Sequence, residues 1–539
     1  MTTQTHGYAS AMPDQGPSTN DKLLFLGCWI ALVATAFGFV IRTMIINDWG
    51  TDFGLSETQK GEIFGVGLWP FAISIILFSL VVDRIGYGNA MIFAFVCHVS
   101  SAIITITAKG YWSLYIGTFI VALGNGTVEA VINPVVATMF TREKTKWLNI
   151  LHAGWPGGMV LGGLLTIGMG AGASWKMKVG LILIPTLLYG LLLLGRRFPV
   201  HERVLAGVSY KDMLKEVGAI GAALASGLVV WEMGRVIESR LWEAESVPGW
   251  FLWVKIAAIG LITVGYGGYV QSLGRPLFIF LLLIMIPLAT TELGTDSWIT
   301  PLMETQMKAM GLNAGWLLVY TATIMTILRL FAGPIVHKLS PLGLLAVCAA
   351  IAACGLVFLS KATGVTILVA ATLYGFGKTF FWPTMLGIVA ERFPKGGAMT
   401  LNTIAGVGML SVGTIGTALM GNIQDKTIDQ TLASDHAALH AKVVADQAKM
   451  SVFGPYRPID QAKVAALTES EKATVKDVQE SAKKSALARV AILPVIMLVC
   501  YLILIVYFRA QGGYKAEVLA GHGAEDKKFT GGVEGPTEA

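Results

Sequence analysis

The chain has 539 residues, of which 54% are apolar and only 14% are charged, with a formal net charge of +6. Soluble domains carry about a quarter charged residues, so this composition excludes a large soluble core and predicts a membrane protein. The five cysteines lie inside apolar stretches without metal-ligand spacing, so neither a disulfide framework nor a metal site is expected. The basic residues lie in loops between apolar stretches, which argues against nucleic-acid binding.

Apolar stretches long enough to cross a bilayer recur along the chain. A spanning helix needs about 20 predominantly apolar residues, which predicts six spans, two inserted spans and six more. They lie at 23–47, 61–82, 89–108, 112–138, 148–170, 178–195, 216–233, 250–272, 276–299, 314–336, 342–360, 365–390, 399–422 and 487–508. The pattern predicts an all-α membrane protein with about 14 transmembrane helices. The first inserted span is only moderately apolar, and an interfacial hairpin is the alternative there.

Loop charge predicts the orientation and the division of the chain. Lys and Arg are denser in every second loop, above all at 196–215, and such loops face the cytoplasm. We therefore expect a multi-pass protein of a cell membrane, such as the bacterial inner membrane, with both termini cytoplasmic. The expected parts are a tail (1–22), an N-terminal bundle (23–195), a linker with two inserted helices (196–275), a C-terminal bundle (276–508) and a tail (509–539). Within the C-terminal bundle, the polar segment 424–486 is expected outside, either as a helical hairpin cap or as a loosely ordered loop.

One sequence pattern occurs twice with one charge reversed. Residues 124–134 carry a glycine cluster and Glu129, five positions before a proline, and residues 374–383 carry Lys378 in the equivalent place. Internal repeats with buried charges are typical of secondary transporters built from two related halves. The repeat therefore predicts two six-helix bundles with a site between them.

A loop motif adds a resemblance to a known family. The segment Asp83-Arg84-Ile-Gly86 resembles the cytoplasmic loop signature of the major facilitator superfamily, and the second copy has His337 in place of the aspartate. The resemblance covers nearly the whole chain. It implies two six-helix bundles, here with two extra inserted helices, and a conformational latch at Asp83 and Arg84.

Shorter segments resemble the fucose/glucose-type sugar–proton symporters of that superfamily. With the inserted pair left out of the numbering, they are residues 124–134 in helix 4, Leu148-Asn149 in helix 5, Thr291-Glu292 and Ser297-Trp298 in helix 7, and Phe381-Trp382-Pro383-Thr384 in helix 10. Those symporters carry an acidic residue in helix 1, where this chain has Arg42. The resemblance implies a central cavity lined by helices 1, 4, 7 and 10.

Charged residues within the spans are the candidate functional residues. On insertion scales each costs about 2.5–3.5 kcal/mol in the bilayer, so such residues usually face a cavity or a partner. Arg42, Glu129, Glu292 and Lys378 lie on the helices that the resemblance places around the cavity. Arg329 lies one turn before the second loop motif and is interpreted as structural.

The candidates divide by expected role. Glu129 is expected to be the proton-coupling carboxyl, with His152 as either a proton relay or a packing residue. Glu292 and Lys378 lie at similar depth and are expected to contact each other, either within a solute site or as a static salt bridge. The expected solute ligands are Arg42, Asn125, Asn133, Glu292, Trp298, Lys378 and Trp382.

These features predict proton-coupled symport of a small polar solute, a sugar or a related compound, by a monomer in the lipid bilayer. The sequence contains no nucleophile–base constellation and no phosphate loop, so neither an enzyme nor a cofactor is expected. The first alternative is an organic-anion or phosphate-ester exchanger, because the guanidinium of Arg42 can bind such groups in a bidentate way. The second is a membrane receptor that does not transport, supported only by the extra segment 424–486.

Overall fold

The structure is a computed structural model that describes residues 18–519 except 56, 142, 171, 243–246, 313–314, 446–448 and 452–453. The described residues are mostly helical. They include one short antiparallel pair of strands, β1 (Lys449–Ser451) and β2 (Gly454–Tyr456). The prediction of an all-α membrane protein is confirmed.

The first half of the chain supplies the six spans before the linker. Its helices are α1 (Thr19–Phe53), α2 (Glu57–Gly65), α3 (Trp69–Ile85), α4 (Tyr87–Ile106), α5 (Tyr111–Met139), α6 (Lys144–His152), α7 (Gly154–Gly168), α8 (Trp175–Gly180) and α9 (Leu183–Leu193). The second, fifth and sixth spans each consist of two helices with a short break. The linker then contains α10 (Glu202–Leu205), and the inserted pair is α11 (Tyr210–Leu241) and α12 (Gly249–Val270).

The second half contains the remaining spans and the polar segment. Its helices are α13 (Pro276–Ala289), α14 (Thr295–Ala309), α15 (Gly315–Leu330), α16 (Ala332–Leu339), α17 (Pro341–Lys361), α18 (Thr366–Lys378), α19 (Phe381–Arg392), α20 (Gly397–Ser411), α21 (Thr417–Asp435), α22 (Ala437–Val443), α23 (Gln461–Ala465), α24 (Glu469–Val490) and α25 (Ile492–Ala510). Two π-helical turns, Thr290–Gly294 and Val412–Gly416, join α13 to α14 and α20 to α21, and a 3₁₀ turn at Pro394–Gly396 precedes α20.

The number of spans agrees approximately with the prediction. Within the described residues, 12 helices are long and apolar enough to cross a membrane, and α15 with α16, which meet at a bend of 70°, bring the number to 13 if the pair is counted as one span. The predicted span at 365–390 is present as two shorter helices, α18 and α19, with a break at residues 379–380. The two inserted helices α11 and α12 both qualify by length and composition, which favours two spans over an interfacial hairpin.

The glycines of the repeated pattern allow close helix crossings. A Cβ atom on Gly126 would lie 2.2 Å from the backbone oxygen of Phe71, and one on Gly377 would lie 2.4 Å from the backbone nitrogen of Ala352. Neither position therefore has room for a side chain. Small residues at such crossings let membrane helices pack backbone to backbone. As a result, α5 lies against α3, and α18 lies against α17.

The polar segment between α21 and α25 is folded in its described part. The end of α21, with α22 and α24, encloses a small apolar cluster of Ile428, Leu432, Leu439, Val443, Val475, Val478 and Ala482. Helix α24 begins with a capping box in which the Thr468 side chain accepts from the Glu471 amide. Of the two interpretations, the structure has the helical hairpin and not the loosely ordered loop.

The inserted helix α11 contacts both halves of the chain. It packs against α13 and α20 of the second half, next to a kink at Gly218, where φ is 62°. At its other end Arg240 lies 3.3 Å from Glu62 and over the rings of Tyr111 and Trp112 in the first half. By contrast, α12 packs mainly on α11 and exposes many apolar side chains.

Candidate solute and proton site

A pocket between the two halves contains four of the predicted site residues, and we call it the central pocket. It is lined by Phe71, Glu129, His152, Trp155, Glu292, Leu293, Arg329, Trp382 and Met409. The first four residues belong to the first half of the chain and the other five to the second half. Two carboxylates, one guanidinium and one imidazole therefore face one space that both bundles enclose.

Prolines shape the backbone around this pocket by freeing carbonyl groups. In a helix a carbonyl accepts from the amide four residues later, and proline has no amide hydrogen. Pro156 therefore leaves the carbonyl of His152 without its helical partner, and Pro383 does the same for Thr379. Arg329 binds both of these carbonyl groups. Its Nη1 donates to the His152 oxygen at 3.0 Å, and its Nε donates to the Thr379 oxygen at 2.6 Å.

The proline of the first repeat works in the same way. Pro134 lies inside α5 and frees the carbonyl of Ala130, which accepts a 3.0 Å hydrogen bond from Asn402 in the other half. The equivalent Asn149 donates a 3.2 Å hydrogen bond across the halves to the hydroxyl of Thr384. The matched asparagines of the two repeats therefore each join one bundle to the other.

Arg329 lies at the centre of the charged groups. Its Nη2 donates to Glu292 Oε1 at 2.7 Å, and both side chains are almost fully buried. The other carboxylate oxygen of Glu292 accepts from the backbone amide of Trp382 at 3.1 Å. Glu292 lies on the π-helical turn Thr290–Gly294, a feature that is frequent at functional sites.

Sequence reasoning missed Arg329 as a site residue and interpreted it as structural. Arg329 lies in the otherwise apolar helix α15, and an ionisable residue within a membrane is by default a functional candidate. The carbonyls that bind it were also readable, because Pro156 and Pro383 each follow their acceptor by four residues. These two signals together would have placed Arg329 in the site.

The expected contact between Glu292 and Lys378 is wrong in this conformation. Lys378 forms a salt bridge with Asp296, whereas Glu292 pairs with Arg329. Asp296 lies one turn after Glu292 on the same side of the helix, so the two carboxylates differ in depth, and the ammonium binds the one a turn further along. Lys378 also lies 5.2 Å from the ring centre of Tyr374. Sequence reasoning did not consider Asp296 as a partner.

Glu129, Asn133 and His152 form a connected group on α5 and α6. Asn133 Nδ2 donates to Glu129 Oε2 at 2.7 Å, and Asn133 Oδ1 lies 2.9 Å from His152 Nε2. His152 Nε2 also lies 4.0 Å from Glu129 Oε2. Among the described residues, this imidazole is the one basic side chain within 4.0 Å of the Glu129 carboxylate, and it forms an ion pair only when it is protonated. Glu129 is therefore a buried carboxyl without a direct Arg or Lys partner in the described part of the chain.

Arg42 and Asn125 lie in a second pocket, which we call the side pocket. It is lined by Gly38, Phe39, Arg42, Thr43, Ile46, Trp49, Ile63, Phe64, Gly67, Leu68, Thr118, Val121 and Asn125. Arg42 donates from Nη1 to the Gly38 oxygen at 3.1 Å and from Nη2 to Ser101 Oγ at 2.7 Å. Its Nε has no hydrogen-bond partner among the described atoms. Asn125 Oδ1 lies 2.9 Å from His98 Nε2.

The structure describes the side chain of one of the two predicted tryptophans. Trp382 is buried and lines the central pocket beside Glu292. Trp298 lies on α14, but its side chain falls outside the described part of the chain, so its predicted role stays a prediction. The structure thus brings together Glu129, Asn133, His152, Glu292 and Trp382, and it sets Arg42 and Asn125 apart in the side pocket.

The loop motif contacts the linker. Asp83 forms a buried salt bridge with Arg203 of α10, and the guanidinium of Arg84 lies 4.6 Å from the ring centre of Tyr210 at the start of α11. Arg203 in turn packs against Gly397, the first residue of α20 in the second half. The motif therefore reaches the second half through the linker. The expected latch role of Asp83 and Arg84 stays a prediction.

Other contacts close the same end of the molecule, which carries Arg84, Lys144, Arg203, Arg392 and Arg509 and which we call the basic face. Lys144 forms a salt bridge with Glu202 of α10 and donates at 3.1 Å to the backbone oxygen of Ala390 in the second half. Glu143 lies 3.0 Å from His337, the residue that replaces the aspartate in the second motif copy. The two halves are thus joined at the basic face in this conformation.

The fold and the site define a multi-pass membrane protein with a charged pocket between two helical bundles, which is the architecture of a transporter. The family model described as Major Facilitator Superfamily matches residues 27–418. The chain belongs to the Major Facilitator Superfamily, a family of membrane transporters.

Solved structures agree with this fold. A fucose:proton symporter from E. coli is 15% identical with a TM-score of 0.52, and the match covers 88% of this chain and 98% of that one. A proton:xylose symporter is 14% identical with a TM-score of 0.54, over 78% and 91% of the two chains. The human organic anion transporter TETRAN is 10% identical with a TM-score of 0.54, over 90% and 100%. These likenesses show the fold alone.

A hexuronate transporter of Bacillus subtilis is similar in sequence over a shorter stretch. It is 28% identical over 142 residues, which is 26% of this chain and 34% of that protein. The match therefore spans about a third of the length of this relative.

Proposed function

We propose that the chain is a secondary active transporter that couples a small polar solute, a sugar or a related compound, to the movement of H⁺ by alternating access. The observation that carries the proposal is the central pocket, which both bundles line and which holds Glu129 without a direct Arg or Lys partner in the described part of the chain. The chain is similar to two sugar–proton symporters and a hexuronate transporter, which supports the same solute class.

In this mechanism, Glu129 takes up and releases the coupled proton. Asn133 holds one carboxylate oxygen, and His152 lies close enough to exchange a proton with the other groups of the pocket. The solute binds between Glu129 and the indole of Trp382, where a sugar could stack its C–H face on the ring and bind the polar groups around it. Because residues of both halves line this space, a rocking motion of the bundles exposes it to one side at a time.

The remaining parts of the proposal concern the setting of the protein. We place it in a cell membrane, such as the bacterial inner membrane, as a monomer with both termini and the linker on the cytoplasmic side. The basic face is then the cytoplasmic face, and the hairpin between α21 and α25 lies outside. The proposed partners are the lipid bilayer, the solute and H⁺.

The test is transport by purified protein in proteoliposomes. A thermal-shift screen against neutral sugars, sugar acids and phosphate esters first selects solutes that raise the melting temperature. Uptake of each selected solute is then measured with and without a pH gradient that drives protons into the proteoliposomes. We expect the gradient to drive accumulation of a sugar or sugar-like solute. Uptake that ignores the pH gradient would contradict proton coupling, and protein that binds solutes but moves none would favour a receptor.

A specific observation favours a second candidate, an organic-anion or phosphate-ester exchanger. Arg42 is buried and lines the side pocket, yet its Nε has no partner in the described part of the chain. A guanidinium with a free donor suits a carboxylate or phosphate group. Counterflow of anions that is lost in Arg42→Gln and retained in Arg42→Lys, with no effect of a pH gradient, would support the exchanger over the symporter.

A further inference from the structure

The last described residues of the chain fold back onto the basic face. After α25 ends at Ala510, Gly512 and Gly513 adopt φ values of 87° and 104°, and the Gly513 amide donates to the oxygen of Phe508 at 2.8 Å. The ring of Tyr514 then lies against the ring of Phe508, with 5.3 Å between the ring centres. We call residues 511–519 the strap.

The strap binds along the end of α19. The Glu517 amide donates to the backbone oxygen of Glu391 at 2.7 Å, and Arg392 Nη1 donates to the backbone oxygen of Lys515 at 2.6 Å. The hydroxyl of Tyr514 donates to Glu391 Oε2 at 2.8 Å. Three hydrogen bonds therefore fix the strap to the two last residues of this helix.

The carboxylate of Glu517 joins Arg392 to a second guanidinium group, that of Arg275. One of its oxygens lies 3.2 Å from Arg392 Nη2 and 3.2 Å from Arg275 Nη2, at the start of α13. Without this carboxylate, the positive charges of the two guanidinium groups would be less well compensated and would repel each other. The strap thus ties together the ends of α13, α19 and α25.

Glu391 connects the strap to the other half of the chain. While Oε2 accepts from Tyr514, Oε1 accepts from the backbone amide of Thr145 at 3.2 Å and from its hydroxyl at 2.5 Å. Thr145 lies in the first turn of α6, in the first half. One carboxylate therefore binds the strap with one oxygen and the opposite bundle with the other.

We propose that the strap is an autoinhibitory element that holds the basic face closed. Opening this face requires α6 to separate from α19, which breaks the bonds between Thr145 and Glu391. The strap fixes the orientation of Glu391 and the end of α19. It therefore keeps the Glu391 carboxylate in position to accept hydrogen bonds from α6. Release of the strap lowers the cost of separating the two helices, so it shifts the population towards the state that is open at the basic face.

The test measures the accessibility of a buried position at this face. Ala390→Cys serves as the reporter in a background without the five native cysteines, because Ala390 is buried and its hydrogen bond with Lys144 uses the backbone oxygen, which the substitution keeps. The reagent is membrane-permeant N-ethylmaleimide, so the assay needs neither a known solute nor a known orientation. Its outcome is therefore independent of whether the proposed function is correct.

We compare Glu517→Gln and Tyr514→Phe with the matched control Lys515→Ala, because Lys515 is exposed and contributes only its backbone oxygen. Each test variant should increase the reaction rate about two- to fivefold, as expected for loss of partly exposed charged contacts. The control should react like the parent. A chain truncated after residue 511 should react at least as fast as the point variants, and one truncated after residue 519 should react like the parent.

Equal reaction rates in the parent, Glu517→Gln and Tyr514→Phe would overturn the proposal. The same conclusion would follow if the two truncated chains reacted alike. If truncation after residue 511 prevents folding, the two point variants decide the question on their own, since each removes only side-chain contacts of the strap.

Discussion

Arg329 donates a 3.0 Å hydrogen bond to the backbone carbonyl of His152, although the two residues belong to different halves of the chain. The imidazole of the same His152 lies 4.0 Å from Glu129, and the guanidinium also binds Glu292 at 2.7 Å. The proposed proton site and a contact that joins the bundles therefore share one residue. Protonation of Glu129 changes the charge next to that contact, which gives a direct route from proton binding to bundle motion.

Glu129→Gln should abolish accumulation of solute driven by a pH gradient while leaving counterflow measurable. The amide keeps the size and much of the hydrogen bonding with Asn133 but cannot release a proton. Uptake and counterflow are measured in proteoliposomes, with Glu469→Gln on the exposed surface of α24 as the control. Undiminished accumulation by the Glu129 variant would reject its coupling role.

Glu292 and Arg329 should behave as one energetic unit. Either Glu292→Gln or Arg329→Met leaves a buried charge without its partner, which costs roughly 3–5 kcal/mol. The double variant should recover part of that loss in the free energy of unfolding. A matching cycle with Glu292 and Lys378 should show weaker coupling, because Lys378 pairs with Asp296. Stronger coupling in the second cycle would mean that the observed pairing is not the dominant one.

Asn402→Ala should weaken the contact between the bundles, because it leaves the carbonyl of Ala130 buried without a donor. An unsatisfied buried acceptor costs about 1–3 kcal/mol. Adding Pro134→Ala restores an amide four residues after Ala130, so the double variant should be more stable than Asn402→Ala alone. Melting temperatures in detergent provide the measurement. If the double variant recovers no stability, Asn402 does not stabilise the protein through its hydrogen bond to the carbonyl of Ala130.

Topology can be tested with single cysteines at two exposed positions. Ala438→Cys on α22 should react with an impermeant maleimide applied from outside the cell, and Val204→Cys on α10 should react only after the membrane is permeabilised. The basis is the excess of Lys and Arg in the loops of the basic face. The opposite pattern of labelling would reverse the proposed orientation.

Acid should favour opening of the basic face through His201. Burial lowers the pKa of His201, against the opposing effect of Asp83 and Glu202, while Lys144 and Arg203 lower it further. An exposed imidazole has a pKa of about 6.5, so an open state in which His201 is exposed binds a proton below that pH where the closed state does not. The closed state therefore has its full stability above about pH 6.5 and loses it as the pH falls from there towards the lowered pKa of His201.

In the native protein the Arg203 amide donates to His201 Nδ1 at 3.1 Å. The variant His201→Asn keeps an acceptor for this amide but has no titratable side chain. We measure the rate at which N-ethylmaleimide modifies Ala390→Cys and divide it by the rate in the same protein with His201→Asn. This ratio should rise as the pH is lowered from about 7.5 to 5.5. A ratio that does not change with pH would exclude this group as the cause.

Much of the fold was readable from the sequence because its signals are local. Apolar length located the spans, and the repeated glycine–charge–proline pattern located the two helices that carry Glu129 and Lys378. The structure adds what those signals do not contain, namely the breaks that divide spans into shorter helices and the π-helical turn that carries Glu292. Such a turn changes the rotation of a helix without a clear mark in composition.

The site was predicted less well because partner choice depends on the exact depth of each charged group and on the neighbours that compete for it. Glu292 and Asp296 are one turn apart, and depth along the helix did not decide which of them faces Lys378. Arg329 was interpreted as structural because it lies one turn before the second loop motif. The contacts between the strap and α19 join residues more than 100 positions apart, and no local pattern marks them.

The charges of the central pocket have an electrical consequence. Glu292 and Arg329 cancel each other, so with His152 neutral the pocket carries one net negative charge when Glu129 is ionised and none when Glu129 is protonated. A carrier loaded with a proton and a neutral solute would then reorient without moving pocket charge across the bilayer. The empty carrier would move one charge on its return, a step worth up to about 2.3 kcal/mol per 100 mV. Membrane voltage would therefore act on the return of the empty carrier.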